Sequence, residues 1–396
     1  MSSEIISGRL KASLSKTLSS FYPLAGRIQG VSINCNDEGV VFVEARTNLL
    51  LSDFLRKVDT DSIREFLPET AQGESAGEWP LLSVKVSFFG SGSGVAVAIC
   101  ASHNIFDVAS LATFVRVWAN IARGKSSDAV NPSPQFAGTS IYPSPGLTFD
   151  YSSKVDTPLK PSVKFVTKRF LFESSKIAEL KHKAASQSVP VPTRVEVISS
   201  LILRCAAKAT QLNTVVPKSS LMMQPMDLRL RVPSNVLSHD AIGNLQTVLV
   251  VKQGLKSKMD LSETVVEFRK AKREVNELIQ GCNNIDVATL GENLMNVMEN
   301  IVSEYKPYVD AYSMSSWCRQ PFYEVDFGFG SPVWIGSAFH TLYNNKAYVV
   351  LMDAKDGESV EAWVSLGEQD MCIFLGDKDL LSYASLNPPI YSDLAG

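Results

Sequence analysis

His103 stands at the end of a very apolar run, in Ala-Ser-His103-Asn-Ile-Phe-Asp107, with a carboxylate four residues on. A strand exit presents its side chain at the edge of a sheet. An imidazole is also the side chain whose unperturbed pKa lies closest to neutral pH, so His103 is a candidate general base for an alcohol or an amine. Such a base contributes roughly 10²- to 10⁴-fold to a rate. Asp107 either orients the imidazole or caps the helix that follows, where its charge also suits the helix dipole, and the capping role is favoured. A structurally satisfied histidine is the plain alternative for a lone His with Asp four residues later. The chain has four histidines, and His182, His239 and His340 lack this setting.

The second constellation is Asp326-Phe-Gly-Phe-Gly330, followed by Ser331-Pro-Val-Trp334. Two glycines among aromatics allow tight backbone turns against packed rings, and Asp326 could anchor the loop through an arginine. A kinase reading fails because no H-R-D catalytic loop, Gly-rich phosphate loop or strand lysine accompanies it. Gly90-Ser-Gly-Ser-Gly94 lies between two strand patterns rather than opening a helix, so it reads as a hairpin turn and not as a phosphate cradle. The histidines and cysteines have no metal-ligand spacing and no G-x-S-x-G element is present, so neither a metal nor a serine hydrolase is expected.

These residues need elements to hold them. Leu10, Leu14, Leu18, Phe21 and Tyr22 recur at helical spacing over residues 8 to 22, and Pro23 and Gly26 stop that helix. Val31 to Val43, with a turn at Asn36-Asp-Glu-Gly39, reads as a hairpin, as do Val84 to Phe89 and Val95 to Ser102. Leu111, Phe114, Val115, Trp118 and Ile121 predict a helix from about Asp107 to Arg123, ended by Gly124. Between Lys125 and Ser162 periodicity vanishes and prolines accumulate, which marks a crossing segment. Beyond it come a strand over 163 to 172, a helix opened by the capping box Thr193-Arg-Val-Glu196, and a long helix from Asp260 to Gly281. Ala347 to Met352 and Val360 to Leu366 flank Asp356-Gly357, whose residues supply the positive φ angles of a tight hairpin turn.

The 396 residues suffice for two domains. The expected division is an N-terminal domain over 1–124 that carries His103, a crossover linker over 125–162 and a C-terminal domain over 163–396. A stretch of about 315–345 is free to pack with the first domain. A net charge of −3 leaves no basic footprint for nucleic acid. Six scattered cysteines without a C-x-x-C pair favour a reducing compartment. No apolar run approaches the roughly 18 residues of a membrane span, so neither membrane nor nucleic acid is an expected partner and the cytoplasm is the expected location.

His103-x-x-x-Asp107 and Asp326-Phe-Gly-Phe-Gly330, in this order, resemble the paired signatures of the plant BAHD acyltransferases, usually H-x-x-x-D-G and D-F-G-W-G. The resemblance extends to Leu10-Lys-Ala-Ser-Leu-Ser, Phe21-Tyr-Pro-Leu-Ala-Gly-Arg27, Pro192-Thr-Arg-Val-Glu196, Asp227-Leu-Arg-Leu-Arg231, Gly243-Asn244 and Ser316-Trp-Cys-Arg319. It covers essentially the whole chain and is nearest the vinorine synthase-like branch. It implies an α/β fold of two chloramphenicol acetyltransferase-like domains of mixed sheets and helices with a channel between them. The implied activity is acyl-CoA-dependent O-acylation of a plant specialised metabolite such as an alkaloid or terpenoid. Acetyl-CoA is the expected donor, a co-substrate rather than a tightly bound cofactor, an amine is the nearest variant acceptor, and a monomer is the expected state.

By the same resemblance His103 removes the acceptor's proton as its oxygen attacks the thioester, without an acyl-enzyme. Ser315, before Ser316-Trp317, corresponds to a hydroxyl donor for the oxyanion, with a loop hydrogen bond as its alternative. Trp317 walls the channel or packs in the core. Asp107 points away from the channel to an arginine, for which Arg229 and Arg231 are the candidates. Asp326, Gly328 and Gly330 are expected to be structural. Three departures stand out: Val108 replaces the usual glycine, Phe329 replaces the usual tryptophan, and relatives carry a strand-bearing segment ahead of Leu10-Lys-Ala-Ser. Loss of that strand would expose a sheet edge. The alternative function is therefore a catalytically impaired, N-terminally shortened homologue that binds a small molecule or regulates a sister acyltransferase.

Overall fold

The computed structural model describes residues 1–58, 60–69, 78–125, 133–142, 163–254, 260–280, 289–296, 309–338 and 346–390. His340, Cys282, Gly281, Lys256, Lys258 and most of the expected 125–162 crossover lie outside the described residues.

Helix α1 (Ser3–Ser20) begins earlier than its apolar spacing predicts, because the Ser2 side chain accepts from the Ile5 amide and caps it there. A 3₁₀ turn, Tyr22–Ala25, with Pro23 near its start, follows. The expected Val31 to Val43 hairpin is not formed. Strand β1 (Arg27–Gln29) pairs instead with β2 (Ser32–Asn34) around Gly30, whose φ of 60° suits glycine. The next strand, β3 (Val41–Arg46), leaves to pair in parallel with β4 (Leu82–Phe88). The hairpin closes at the shorter turn around Gly30, and Asn36 to Gly39 is a connector.

Short helices α2 (Leu51–Arg56) and α3 (Thr60–Arg64) precede β4, which pairs antiparallel with β5 (Val95–Ala101) across the Gly90–Gly94 turn. Glycine is required at position 90, where a Cβ would lie 2.5 Å from the Asn48 carbonyl oxygen. Helix α4 (Val108–Ala122) covers one face of this three-stranded sheet together with α1. Leu10, Leu14, Val84, Val86, Phe114 and Trp118 form the core between them. The Trp118 indole is fully buried, and its N–H donates to the Leu10 carbonyl at 3.2 Å and the Ser13 hydroxyl at 3.0 Å.

Strand β6 (Gln135–Phe136) and helix α5 (Gly138–Ile141) lie in the crossing segment. The second half contributes β7 (Phe165–Phe172), α6 (Ser174–Ala184), α7 (Arg194–Leu212), β8 (Ser219–Asp227), β9 (Ala241–Ile242), β10 (Gln246–Gln253) and α8 (Leu261–Gln280). It continues with β11 (Val309–Ser316), β12 (Ala347–Asp353), β13 (Val360–Gly367) and β14 (Ser385–Leu386). Seven of these strands form one mixed sheet in the order β10-β8-β11-β12-β13-β7-β14, while β9 pairs with β6. In the β12–β13 hairpin only Gly357 takes a positive φ; Asp356 instead accepts from the Glu358 and Ser359 amides.

The large sheet is covered on both faces, which is why β13 is buried at all eight positions, Glu361 and Ser365 among them. Helices α6, α7 and α8 pack on one face. On the other, Leu55, Val58 and Ile63 of the first half meet Val350, Met352 and Trp363. The traffic is reciprocal, since Val325 and Phe327 from beyond β11 enter the core of the first half. The Phe327 ring lies edge-on to Trp118, with centroids 4.7 Å apart. Among the described residues no helix is long and apolar enough to cross a membrane.

The predicted capping box of α7 is present and carries more than a cap. Thr193 and Glu196 exchange hydrogen bonds, and buried Glu196 also accepts from Arg269 of α8 at 2.7 Å. Burial alone would raise the Glu196 carboxyl, but hydrogen bonds from Arg269 and Thr193 outweigh it and hold the group below the ordinary carboxylate range. A folded-state pKa below the unfolded one gives stability that is complete above the unfolded pKa and is lost as pH falls through the folded pKa. Glu196→Gln is therefore expected to cost about 1.5–3 kcal/mol at pH 7. The gap to the parent should narrow as pH drops below about 4.3. Urea unfolding at a series of pH values checks both, and a constant gap would refute the linkage.

Candidate active site

Strand β5 ends where the Ser102 amide donates to the Leu81 carbonyl at 2.9 Å. The Ile105 and Phe106 amides then turn back onto the Ser102 carbonyl, and buried Phe106 plugs the turn into the core of the first half. This leaves His103 at the crest of the turn with its side chain exposed. Its carbonyl oxygen accepts from the Asn244 side-chain amide, a residue of the second half.

Asp107 is the N-cap of α4 and takes four donors. Its Oδ1 accepts from the Ser110 amide at 2.8 Å and Arg229 Nη2 at 3.1 Å, and its Oδ2 from Arg229 Nη1 at 2.8 Å and the Leu245 amide at 3.0 Å. Both oxygens are engaged and neither bonds the imidazole. Of the two candidate arginines, Arg229 makes the pair; Arg231 turns the other way and donates to the Asp227 carbonyl. Arg229 is as buried as its partner and completes its donors on Asp227 Oδ1, the Ala241 carbonyl, the Gly243 carbonyl and the Ser110 hydroxyl. Burial opposes its charge, yet the hydrogen bonds and charge of Asp107, with those of Asp227, hold the guanidinium above its ordinary pKa. Val108 occupies the first helical position without a positive φ, so this position does not demand glycine.

Ser110, which the sequence reading passed over as an ordinary helix residue, sits at the centre of this network with no exposed surface. A serine three residues after an N-cap aspartate is the only signal the sequence offers.

The Asp326 carboxylate accepts from the Gly328 amide at 2.7 Å and the Gly330 amide at 3.0 Å, and pairs with Arg123 at the end of α4. Those backbone bonds, the Gly328 one above all, hold its carboxyl below the usual range. Gly328 and Gly330 take φ of 94° and 108°, where glycine is favoured, and a Cβ on Gly328 would collide with Arg9 of α1. Phe329 stacks on Phe327 at 6.1 Å. This loop is a rivet between the halves.

Ser315 lies half-buried near the end of β11, paired with Val350 of β12. Trp317 is half-buried against the cluster of Val350 and Trp363, and its amide donates to the Leu351 carbonyl. No hydrogen bond joins either residue to His103 among the described residues.

A cationic group surrounds the ends of β8 and β11. Burial pushes the Lys272 ammonium below its ordinary pKa; Glu196 resists, while Arg231, Arg269 and Arg319 add to the depression. Burial likewise lowers Arg231. Glu196 neutralises Arg269, whereas no carboxylate ion-pairs with Arg231, Lys272 or Arg319 among the described residues. Arg231, Leu230, Asn276 and Ile279 line a cavity of about 320 Å³ there.

Removing one partner of a buried pair strands the other charge. Asp107→Ala is therefore expected to cost about 3–5 kcal/mol. Arg229→Lys should lose only part of that amount, because the ammonium keeps the charge but cannot reproduce the bidentate fork. Chemical unfolding of both variants checks this, and a loss for Asp107→Ala below about 1 kcal/mol would show the pair to be dispensable.

The sequence model of the "Transferase family" matches residues 1–381. The chain is similar to the BAHD acyltransferase BIA1 of Arabidopsis thaliana, 56% identical over 391 residues that span 98% of this chain and 88% of the relative. It is similar also to limonoid 1-O-acetyltransferase of Citrus sinensis, 30% identical over 390 residues, 96% of this chain and 86% of the relative. The crystal structure of vinorine synthase superposes with a TM-score of 0.74 at 29% identity, covering 97% of this chain and 87% of that one. With two ordered signatures on two interlocked mixed α/β halves, and matches that run nearly end to end, the chain belongs to the BAHD family of acyl-CoA-dependent acyltransferases.

Proposed function

We propose that this chain transfers an acetyl group from acetyl-CoA to a hydroxyl of a specialised metabolite of the alkaloid or terpenoid kind, with His103 as the general base. The observation that carries the reading is the crest position of His103: an exposed imidazole on a turn whose every backbone restraint is internal to the protein. The name of the limonoid 1-O-acetyltransferase relative supports an oxygen acceptor and an acetyl donor.

An alcohol is far too weakly acidic to ionise unaided near neutral pH, so proton removal accompanies attack. The imidazole takes the hydroxyl proton as the oxygen bonds the thioester carbonyl carbon. The oxyanion that forms needs a donor, and the half-buried Ser315 hydroxyl is the candidate. One such donor contributes roughly 2.7–4 kcal/mol. Collapse breaks the carbon–sulfur bond and the imidazolium returns the proton to the departing thiolate, leaving ester, free CoA and neutral His103. Arg231, Lys272 and Arg319, lacking carboxylate ion-pair partners among the described residues, supply positive charge suited to the phosphates of CoA, as strongly hydrated anions require.

Thiol release from acetyl-CoA by the purified chain and by His103→Ala, across a panel of alkaloid and terpenoid alcohols, tests the reading. Turnover is expected to fall roughly 10²- to 10⁴-fold with the melting temperature unchanged, since an exposed ring contributes little packing. Unchanged turnover would sink the base, and CoA binding without turnover by either protein would favour the impaired homologue. Lys272→Ala is expected to raise KM for acetyl-CoA roughly tenfold with kcat nearly constant. A KM that stays put, or one insensitive to added salt, would remove Lys272 from the CoA site.

A further inference from the structure

The Ser110 hydroxyl has the hydrogen-bonding capacity of one donor and two acceptor sites, and all of it is used. It donates to the Gly243 carbonyl at 3.0 Å and accepts from the Gly243 amide at 3.1 Å and from Arg229 Nη2 at 2.9 Å. Holding both the N–H and the C=O of one residue fixes that residue's position and tilt together. Gly243 needs holding, because its φ of 148° lies in the region that favours glycine. The next residue is Asn244, whose side-chain amide donates to the His103 carbonyl and whose Oδ1 is buried without a protein partner. A closed circuit results. It runs from His103 through the turn to Asp107, along the first turn of α4 to Ser110, across to Gly243 and Asn244, and back to the His103 carbonyl.

Asp107 alone secures the helix end of the turn. It makes no bond to the crest itself, where among the described residues the histidine's own peptide is reached by Asn244, whose neighbour Leu245 donates its amide to Asp107. The crest is therefore registered against the second half of the molecule through Asn244, on a segment that Ser110 grips at Gly243 beside the ion pair, which also reaches Gly243 and Leu245.

We infer that Ser110 is a positioning residue: through Gly243 and Asn244 it sets the height of the His103 peptide, and with it the imidazole, relative to the acyl-CoA held by the second half. The inference rests on His103 being the base. Loss of the link leaves the imidazole present and its substrates bound, but displaces it, and a misplacement near 1 Å is enough to cost about 10²-fold.

The test is a double-mutant cycle on the full chain with Ser110→Ala, Asn244→Ala and the pair, reading kcat, KM for acetyl-CoA and the melting temperature. Each single variant is expected to lose tenfold to about 10²-fold in kcat with KM for acetyl-CoA within about twofold, and the double variant to be no slower than the slower single. Wild-type kcat in folded protein, or losses that multiply, would overturn the inference. If Ser110→Ala does not fold, Asn244→Ala decides alone, because Asn244 is only half-buried. His103→Ala is run alongside. Full activity there defeats the base itself, whereas an inactive His103→Ala beside a fully active Asn244→Ala defeats the positioning role only.

Discussion

The buried pair of Asp107 and Arg229 is the constraint on which the rest of the site depends. Removing a carboxylate and a guanidinium from water is costly, and their attraction offsets that cost only with excellent geometry and with every remaining donor and lone pair satisfied. Here the satisfying groups come from both halves: the start of α4, the end of β8, the β9 segment and the Leu245 amide. No single half can supply them. The pair therefore acts as a register pin, admitting one arrangement of the first half on the second and penalising neighbouring ones by stranding a charge.

That pin works because packing elsewhere is equally reciprocal. Leu55, Val58 and Ile63 close the open face of the seven-stranded sheet, and Val325 and Phe327 fill the core beside Trp118. Apolar contacts supply most of the free energy that holds the halves together but are tolerant of small slips. The polar contacts are intolerant of them. Division of labour follows: apolar exchange joins the halves, and the ion pair and the Asp326 rivet set where they stop.

Much of this was legible in the sequence where a local rule was also the winning rule. The α7 capping box, the α4 apolar spacing with its Gly124 stop, the Gly90–Gly94 turn and the β12–β13 hairpin each form from contacts within a few residues. The signal failed where two local solutions competed or the partner was remote. Gly30 and the Asn36–Gly39 stretch both encode turns, and nothing in the sequence says that β3 will find β4 some 40 residues on. Arg229 and Arg231 are two residues apart in an irregular segment, where side-chain direction has no period to betray it. Ser110 shows only a serine near a helix start, and the cationic group is assembled from α8 and the segments that follow β8 and β11, which share no sequence pattern.

The way His103 is held bears on the base role proposed for it. A base oriented by a carboxylate on its ring is committed to one imidazole pose and tautomer. Here the carboxylate of the motif is engaged elsewhere and the restraint falls on the peptide, and among the described residues no hydrogen bond holds the ring. The peptide determines where the ring stands; in the proposed reaction the bound acceptor and thioester determine which way it faces. In the proposed reaction the backbone circuit and the buried pair position the base, so the side chains that meet the alcohol carry no duty to orient it.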